Sequence, residues 1–341
     1  MIHPAHLIYS SCSLFHLTDL YRWLNPYPFT MLMYHGVVSD DATDCWWTAP
    51  QSMFQRQIEY IYRHFTVVSL DEALEALIKK TKSKNLLVIT FDDGYRNCME
   101  NALPILHSLN MPCTFYLTTG PIQHHHLIWT DQLVLAFKNS TRLELDLSDS
   151  GLGRWQLTGS NDIKRHSSQH LIDRLKTFPV ERKNKLLKEI LGRLGVTNDS
   201  SDTHPFQLLS IDEVKRLAQD HLVTIGSHTV NHEILTQLPL DQAVREISES
   251  KETLEQWIAK PIYHLAYPNG NYSEAIINEI KKLGFRSAAT VGFPTTHAID
   301  PFKLERVGIG AWDDMDFFKC SITGITSLLH KVRSTFSSLE S

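Results

Sequence analysis

The sequence predicts an α/β chain with parallel strands, and three observations lead there. Short apolar runs alternate with amphipathic stretches along most of the chain. Runs such as LLVITF carry almost no polar residues, as expected for strands covered on both faces. Enough chain separates successive runs for a crossover helix, the connection that parallel neighbours require. About seven such units in roughly 300 residues fit a (β/α) barrel better than an open sheet, although periodicity alone serves either.

Taken in order, FTMLMYHGVV (Phe29–Val38) follows the proline-rich NPYP and reads as the first strand. WWTAPQSMFQRQIEYIYRHF reads as a helix, with Phe54, Ile58 and Ile61 at helical spacing. FTVVSL is a short strand. Ser69 then opens the helix LDEALEALIKK through a Ser-x-x-Glu start, in which hydroxyl and carboxylate each satisfy a backbone N–H at the helix end. LLVITF is a strand, and Tyr95–Leu109 is helical, with Pro104 kinking it or starting a second segment. CTFYLTT returns as a strand. Further on, IDEVKRLAQD, PLDQAVREISESKETLEQWIA and SEAIINEIKKLGF are helices, interleaved with the strands LVTIGS, IYHLAYP and RSAATVG.

Between Thr119 and Pro205 the alternation lapses into HHHLIWTDQL, a polar stretch and the charged helix VERKNKLLKEILGRL. No apolar core of its own is apparent there, so the segment is expected to be a mainly helical insertion at about 120–205. The barrel then spans 29–320, with 1–28 an N-terminal extension and 321–341 a C-terminal tail. Long inserts over the open end of a barrel commonly form lids or substrate walls.

An apolar content of 42% and a charged content of 21% describe a globular protein. The net charge of −5 offers no basic surface for nucleic acid. Five scattered cysteines without a CxxC argue against a disulfide framework or a thiolate zinc site. No run of about eighteen apolar residues suggests a membrane span. The N-terminus lacks the pattern of a secretory signal, so a cytoplasmic location is expected. SLFHLTDLYRWL suits a short amphipathic helix packed on the domain, with peripheral membrane contact as the lesser alternative.

The chemistry concentrates at two strand ends. LLVITF runs directly into Asp92 and Asp93, and adjacent like charges beside a buried strand call for a positive partner. After LVTIGS, His228 and His232 lie four residues apart, one face of a turn if the chain there is helical. Two imidazoles and one carboxylate suit a divalent ion with positions open for water and substrate. Asp93 is the candidate oxygen ligand. Asp92 stays outside the shell as a base for water made acidic by the ion. Each pattern alone is ordinary: HxxxH recurs on surface helices, and Asp-Asp-Gly is common in turns and caps. Their joint appearance after two apolar strands is the stronger signal.

TFDDG (Thr90–Gly94) and SHTVNH (Ser227–His232), in that order, resemble the first two motifs of the NodB-homology polysaccharide deacetylases, the fourth carbohydrate esterase family. YHGVV, FTVVSLDEAL, TFYLTTG, LIWTDQL and SKETLEQWIAKPIYHLAYPNG extend the likeness over roughly residues 30 to 310. The resemblance implies a distorted (β/α) barrel that hydrolyses N-acetyl or O-acetyl groups of sugars. It implies Asp92 as base, and Asp93, His228 and His232 as ligands of one divalent ion, zinc foremost, with cobalt, manganese, nickel or iron as alternatives. In AYPNG it makes the Asn269 backbone N–H the oxyanion donor, with Tyr267, Pro268 and Gly270 shaping the groove.

Two departures stand out. Where the family carries an arginine that contacts the base, this chain has Ala266, and Arg306 in KLERVGI is the candidate replacement. The Leu-x-His that supplies the family's general acid is absent near the C-terminus; His35, or Asp92 returning its proton, is left to serve. The consecutive His124, His125 and His126 do not share a face and read as a solvated loop, while Trp129 and Asp131 read as packing or substrate wall. The expected partner is an N-acetylated oligosaccharide, polysaccharide or glycolipid precursor. Deformylation of a lipid-linked amino sugar and a carbohydrate-binding pseudoenzyme are the alternatives.

Overall fold

The computed structural model describes residues 9–12, 17–24, 29–42, 45–79, 85–159, 161–195, 205–293, 299–311 and 313–328. Twelve strands are formed among them: β1 (Thr30–Tyr34), β2 (Gly36–Val38), β3 (Thr48–Pro50), β4 (Thr66–Val67), β5 (Leu86–Phe91), β6 (Cys113–Leu117), β7 (Glu144–Leu147), β8 (Gly153–Gln156), β9 (Val223–Ser227), β10 (His264–Ala266), β11 (Ser287–Val291) and β12 (Leu304–Gly308). Seven of these close in the order β1, β12, β11, β10, β9, β6, β5 and back to β1, every pair parallel. β4 pairs with the first residues of β5. The predicted barrel is therefore the observed one, with helices outside it.

Strand alternation sorts the side chains. Leu87, Ile89 and Phe91 of β5, with Leu32 and Tyr34 of β1, join the large core under the helices. Met31, Val88, Tyr116, Ala266, Ala289 and Leu304 form a second cluster inside the barrel. Continuing the inward set of β5 by twos from Val88 leads through Thr90 to Asp92. A strand pattern thus aims one carboxylate up the barrel axis.

The helices start where the sequence signals them. Ser69 and Glu72 form a reciprocal capping box, and Ser210 and Glu213 repeat it before Ile211–Leu217. Phe54, Ile58 and Ile61 are buried as expected, but their helix begins only at Gln51. The preceding WWTAP does not join it: Thr48–Pro50 pairs with β2 instead, and a proline is excluded from a helix interior. Pro104 lies in the first turn of Leu103–Ser108, after a π-helical turn at Cys98–Ala102, so it starts a second segment.

The insertion is mainly helical, as expected, through Trp129–Asn139, Asn161–Leu175 and Val180–Leu194, with the antiparallel hairpin β7–β8. The expectation that it has no apolar core is corrected. Leu133, Phe137, Leu145, Leu171, Leu175 and Ile190 share a buried cluster with Cys45, Tyr95 and Phe206 from the barrel side. Its apolar residues are spread over three helices and a hairpin, and only assembly brings them together. At the N-terminal side, the helix Leu17–Leu24 exposes Leu17, Leu20 and Leu24. Among the described residues no helix is long and apolar enough to cross a membrane.

Candidate active site

Asp92 and Asp93 leave β5 in different backbone conformations, which allows two adjacent side chains to enter one site. Asp93 has φ of 70°, a left-handed conformation that Asp tolerates better than most residues. Gly94 follows at φ of 92°, and a Cβ there would lie 3.0 Å from Leu117 and 3.1 Å from Ile122. Glycine meets both demands.

Asp92 faces Arg306, which enters from β12. Nη1 donates to Asp92 Oδ1 at 2.6 Å and Nη2 to Oδ2 at 2.7 Å, the planar two-point pairing of a guanidinium with a carboxylate. Nη1 also donates to Thr90 Oγ1 and Nε to the Thr290 carbonyl, and the guanidinium lies over the Tyr116 ring. The side chain of Arg306 is fully buried. Burial alone would raise the Asp92 carboxyl, but Arg306, with help from His228 and His35, brings it down to about 2. Asp92 is thus ionised at neutral pH.

His228 follows β9. Its Nδ1–H donates to the Ala266 carbonyl at 2.8 Å, so the lone pair on Nε2 faces the pocket. His232 reaches the same point by a different route from the one expected. The turn after β9 is not helical; Thr229 at φ of 69° and His232 at φ of 57° bend it instead. Glu246 holds this turn, accepting from the backbone N–H groups of Val230 at 3.1 Å and Asn231 at 2.8 Å. The start of the insertion abuts it: Gly120 N–H donates to the Val230 carbonyl, and a Cβ on Gly120 would sit 2.9 Å from that oxygen.

Asp93 Oδ1 lies 3.6 Å from His228 Nε2 and 3.3 Å from His232 Nε2. One ligand atom from each of the three residues falls within 4.8 Å of the others, a grouping able to hold a metal ion. Burial, Asp92 and Asp131 push the Asp93 carboxyl well above its ordinary range, while burial keeps His228 and His232 below theirs. Asp93 Oδ1 is buried with no hydrogen-bond donor. A buried carboxylate oxygen without a donor, facing two neutral imidazoles, suits a divalent cation. The chemistry of the donor set fits the group the sequence called for.

A cavity of about 390 Å³ opens onto these residues. His35 lines it, because β1 pairs with β5; burial holds its imidazole down to about 4, against the pull of Asp92. Tyr267 and Asn269 also line it, Asn269 at φ of 58°. Pro268 and Gly270 do not line the cavity. They build the turn behind it, with the Gly270 carbonyl accepting from Thr290 Oγ1 at 2.6 Å. Trp129 is part of the wall, whereas Asp131 lies buried behind it, accepting from the Tyr95 hydroxyl at 2.9 Å. His124, His125 and His126 are exposed, at the end of a short helix rather than wholly in a loop. Trp46, Trp47 and Lys176 also line the cavity, and sequence reasoning missed them. The tryptophan pair was the one visible signal.

The chain is similar to known proteins in sequence and fold. The polysaccharide deacetylase family model matches residues 79–194 and 196–288. A Bacillus subtilis (strain 168) protein named as a polysaccharide deacetylase, YxkH, is 20% identical over 277 residues, covering 80% of this chain and 68% of its own. The Streptococcus pyogenes deacetylase PplD, solved in complex with acetate, shares the fold with a TM-score of 0.58 at 17% identity, over 87% of this chain and 99% of that one. IcaB from Ammonifex degensii does so with a TM-score of 0.56 at 15% identity, over 87% and 97%. The chain belongs to the polysaccharide deacetylase family, hydrolases that act on carbon–nitrogen bonds other than peptide bonds.

Proposed function

We propose that the chain is a metal-dependent deacetylase that removes the acetyl group from an N-acetylated sugar of a polysaccharide or its precursor. The observation that carries this reading is the pairing of two unlike sites: an ionised, arginine-bound Asp92 beside the Asp93, His228 and His232 cluster. A divalent ion held by those three, zinc foremost, would supply a Lewis acid that acidifies water and polarises the acetyl carbonyl. The remaining steps belong to the chain itself. Asp92 accepts a proton from the attacking water, and Arg306 keeps it ionised and fixed in direction. Tyr267 and Asn269 line the cavity, and the Asn269 backbone N–H is the group assigned to the oxyanion. His35 is neutral at pH 7, so Asp92, once protonated, is the group that returns a proton to the leaving amine.

Acetate release from N-acetylglucosamine oligomers, with and without a chelator, tests the reading. Chelator-sensitive acetate that reappears on adding zinc is expected. Formate from an N-formylated sugar with no acetate would move the reading to a deformylase. Glycan binding without either product would make the chain a binding protein.

A further inference from the structure

Lys176 is the first residue beyond the helix Asn161–Leu175, on the insertion side of the catalytic cavity. Its carbonyl accepts from Gln237 Nε2, five residues past His232, so its backbone is tied to the segment that follows the metal-site turn. Among the described residues no hydrogen bond or ion pair engages its ammonium. The contrast with Lys183, on the next helix, is direct. That ammonium lies 2.7 Å from Glu233 Oε2 and 4.5 Å from the centre of the Trp129 ring. One lysine of the insertion serves structure; the other lines the cavity, where Asp173 and Asp93 are the carboxyl groups whose charge reaches it.

The charges of the cavity make Lys176 informative. Once a metal is bound, the charged side chains of the lining are Asp92, Asp93, Arg306 and Lys176, two negative and two positive, since ligation requires an ionised Asp93 and neutral imidazoles at His228 and His232. A dication at the cluster would leave an excess of two positive charges in a partly dry site. The oxyanion formed during hydrolysis offsets one of them only while it exists. A substrate that brings its own negative charge balances the site in the ground state.

Resting on the deacetylase reading above, we propose that Lys176 recognises an anionic group of the substrate, a carboxylate or phosphate carried close to the acetamido sugar. Trp46 and Trp47, edge to face at 4.4 Å, give the same cavity an aromatic wall for the apolar face of that sugar. The substrate class is then an acidic N-acetylated glycan or its phosphorylated precursor.

The test compares three substrates on the metal-loaded protein: an N-acetylglucosamine tetramer, the same tetramer bearing one carboxylate, and the same bearing one phosphate. The native chain is expected to prefer a charged tetramer, by about tenfold in kcat/KM, and the better of the two arms identifies the anion. Lys176→Gln should remove most of that preference through KM, and Lys176→Arg should retain it. The preference is a ratio, so partial misfolding of a variant does not alter it. Equal efficiency on all three substrates, or an unchanged preference in Lys176→Gln, overturns the subsite and leaves the deacetylase reading standing. No acetate from any of the three overturns that reading, and the subsite with it.

Discussion

The two sides of the cavity floor are built on opposite principles. On the β12 side, Arg306 donates to both oxygens of Asp92, to Thr90 and to the Thr290 carbonyl, so the charge is balanced and the donors are used. On the β9 side, Asp93 Oδ1 and His232 Nδ1 are buried without a hydrogen-bond partner, and the carboxyl there is driven upward in pKa. Two residues adjacent in sequence thus have opposite fates. The difference teaches that Asp92's charge is settled by the protein, while Asp93 Oδ1 is left without a donor, at the place the proposed metal would take.

The comparison breaks most completely if the β9 side is emptied. His228→Ala should abolish metal uptake and lower activity at least a thousandfold, because one of three protein ligands is lost. Elemental analysis and acetate release check both parts. Retained metal would place the ion elsewhere.

On the β12 side the loss should register as stability. Arg306→Met strands a buried carboxylate, at a cost of about 3–5 kcal/mol at neutral pH. Asp92 has a depressed pKa in the fold, so its contribution is complete above the ordinary carboxyl range near 4 and fades as pH falls through about 2. The penalty measured by denaturant unfolding should therefore shrink as pH falls from neutral to about 2, first as the stranded Asp92 of the variant takes up a proton and then as the native Asp92 does. The acidic limb of the activity profile should also move upward in this variant, since its base no longer has a cation to lower it. A penalty independent of pH across that window would mean that Arg306 acts by packing alone.

A smaller effect sharpens the contrast from outside the ligand set. Glu246 touches no ligand side chain but accepts two backbone N–H groups of the turn that carries His232. Glu246→Gln should weaken metal binding about tenfold, as removal of supporting hydrogen bonds does at such sites. The thermal shift produced by zinc would report it, and an unchanged shift would show that the turn holds itself.

How much of this was legible in the sequence follows from which interactions are local. Strands of the barrel announce themselves as apolar runs, so β5 and β9, and the residues at their ends, were placed correctly. Ser69 with Glu72 is a three-residue signal and formed as read. His35 was reachable by topology, since β1 borders β5. The HxxxH spacing brought His228 and His232 together beside Asp93, but for a helical reason that the loop does not obey, because a positive φ at His232 is not written in the HxxxH pattern. Arg306 could be nominated but not oriented, as its contact with Asp92 spans 214 positions. The insertion's core stayed hidden for the same reason, its apolar residues meeting only across three helices. Lys176 gave no signal, because a lysine is ordinary until its surroundings are known.

The most direct test sets Asp92→Asn beside Asp93→Asn, measuring bound zinc per chain and acetate release on the same preparations. Asp92→Asn should keep about one ion per chain while its turnover falls about 10²–10⁴-fold, and Asp93→Asn should lose both. Equal loss of metal in the two variants, or near-native turnover in Asp92→Asn, would contradict the division of labour between the two carboxylates.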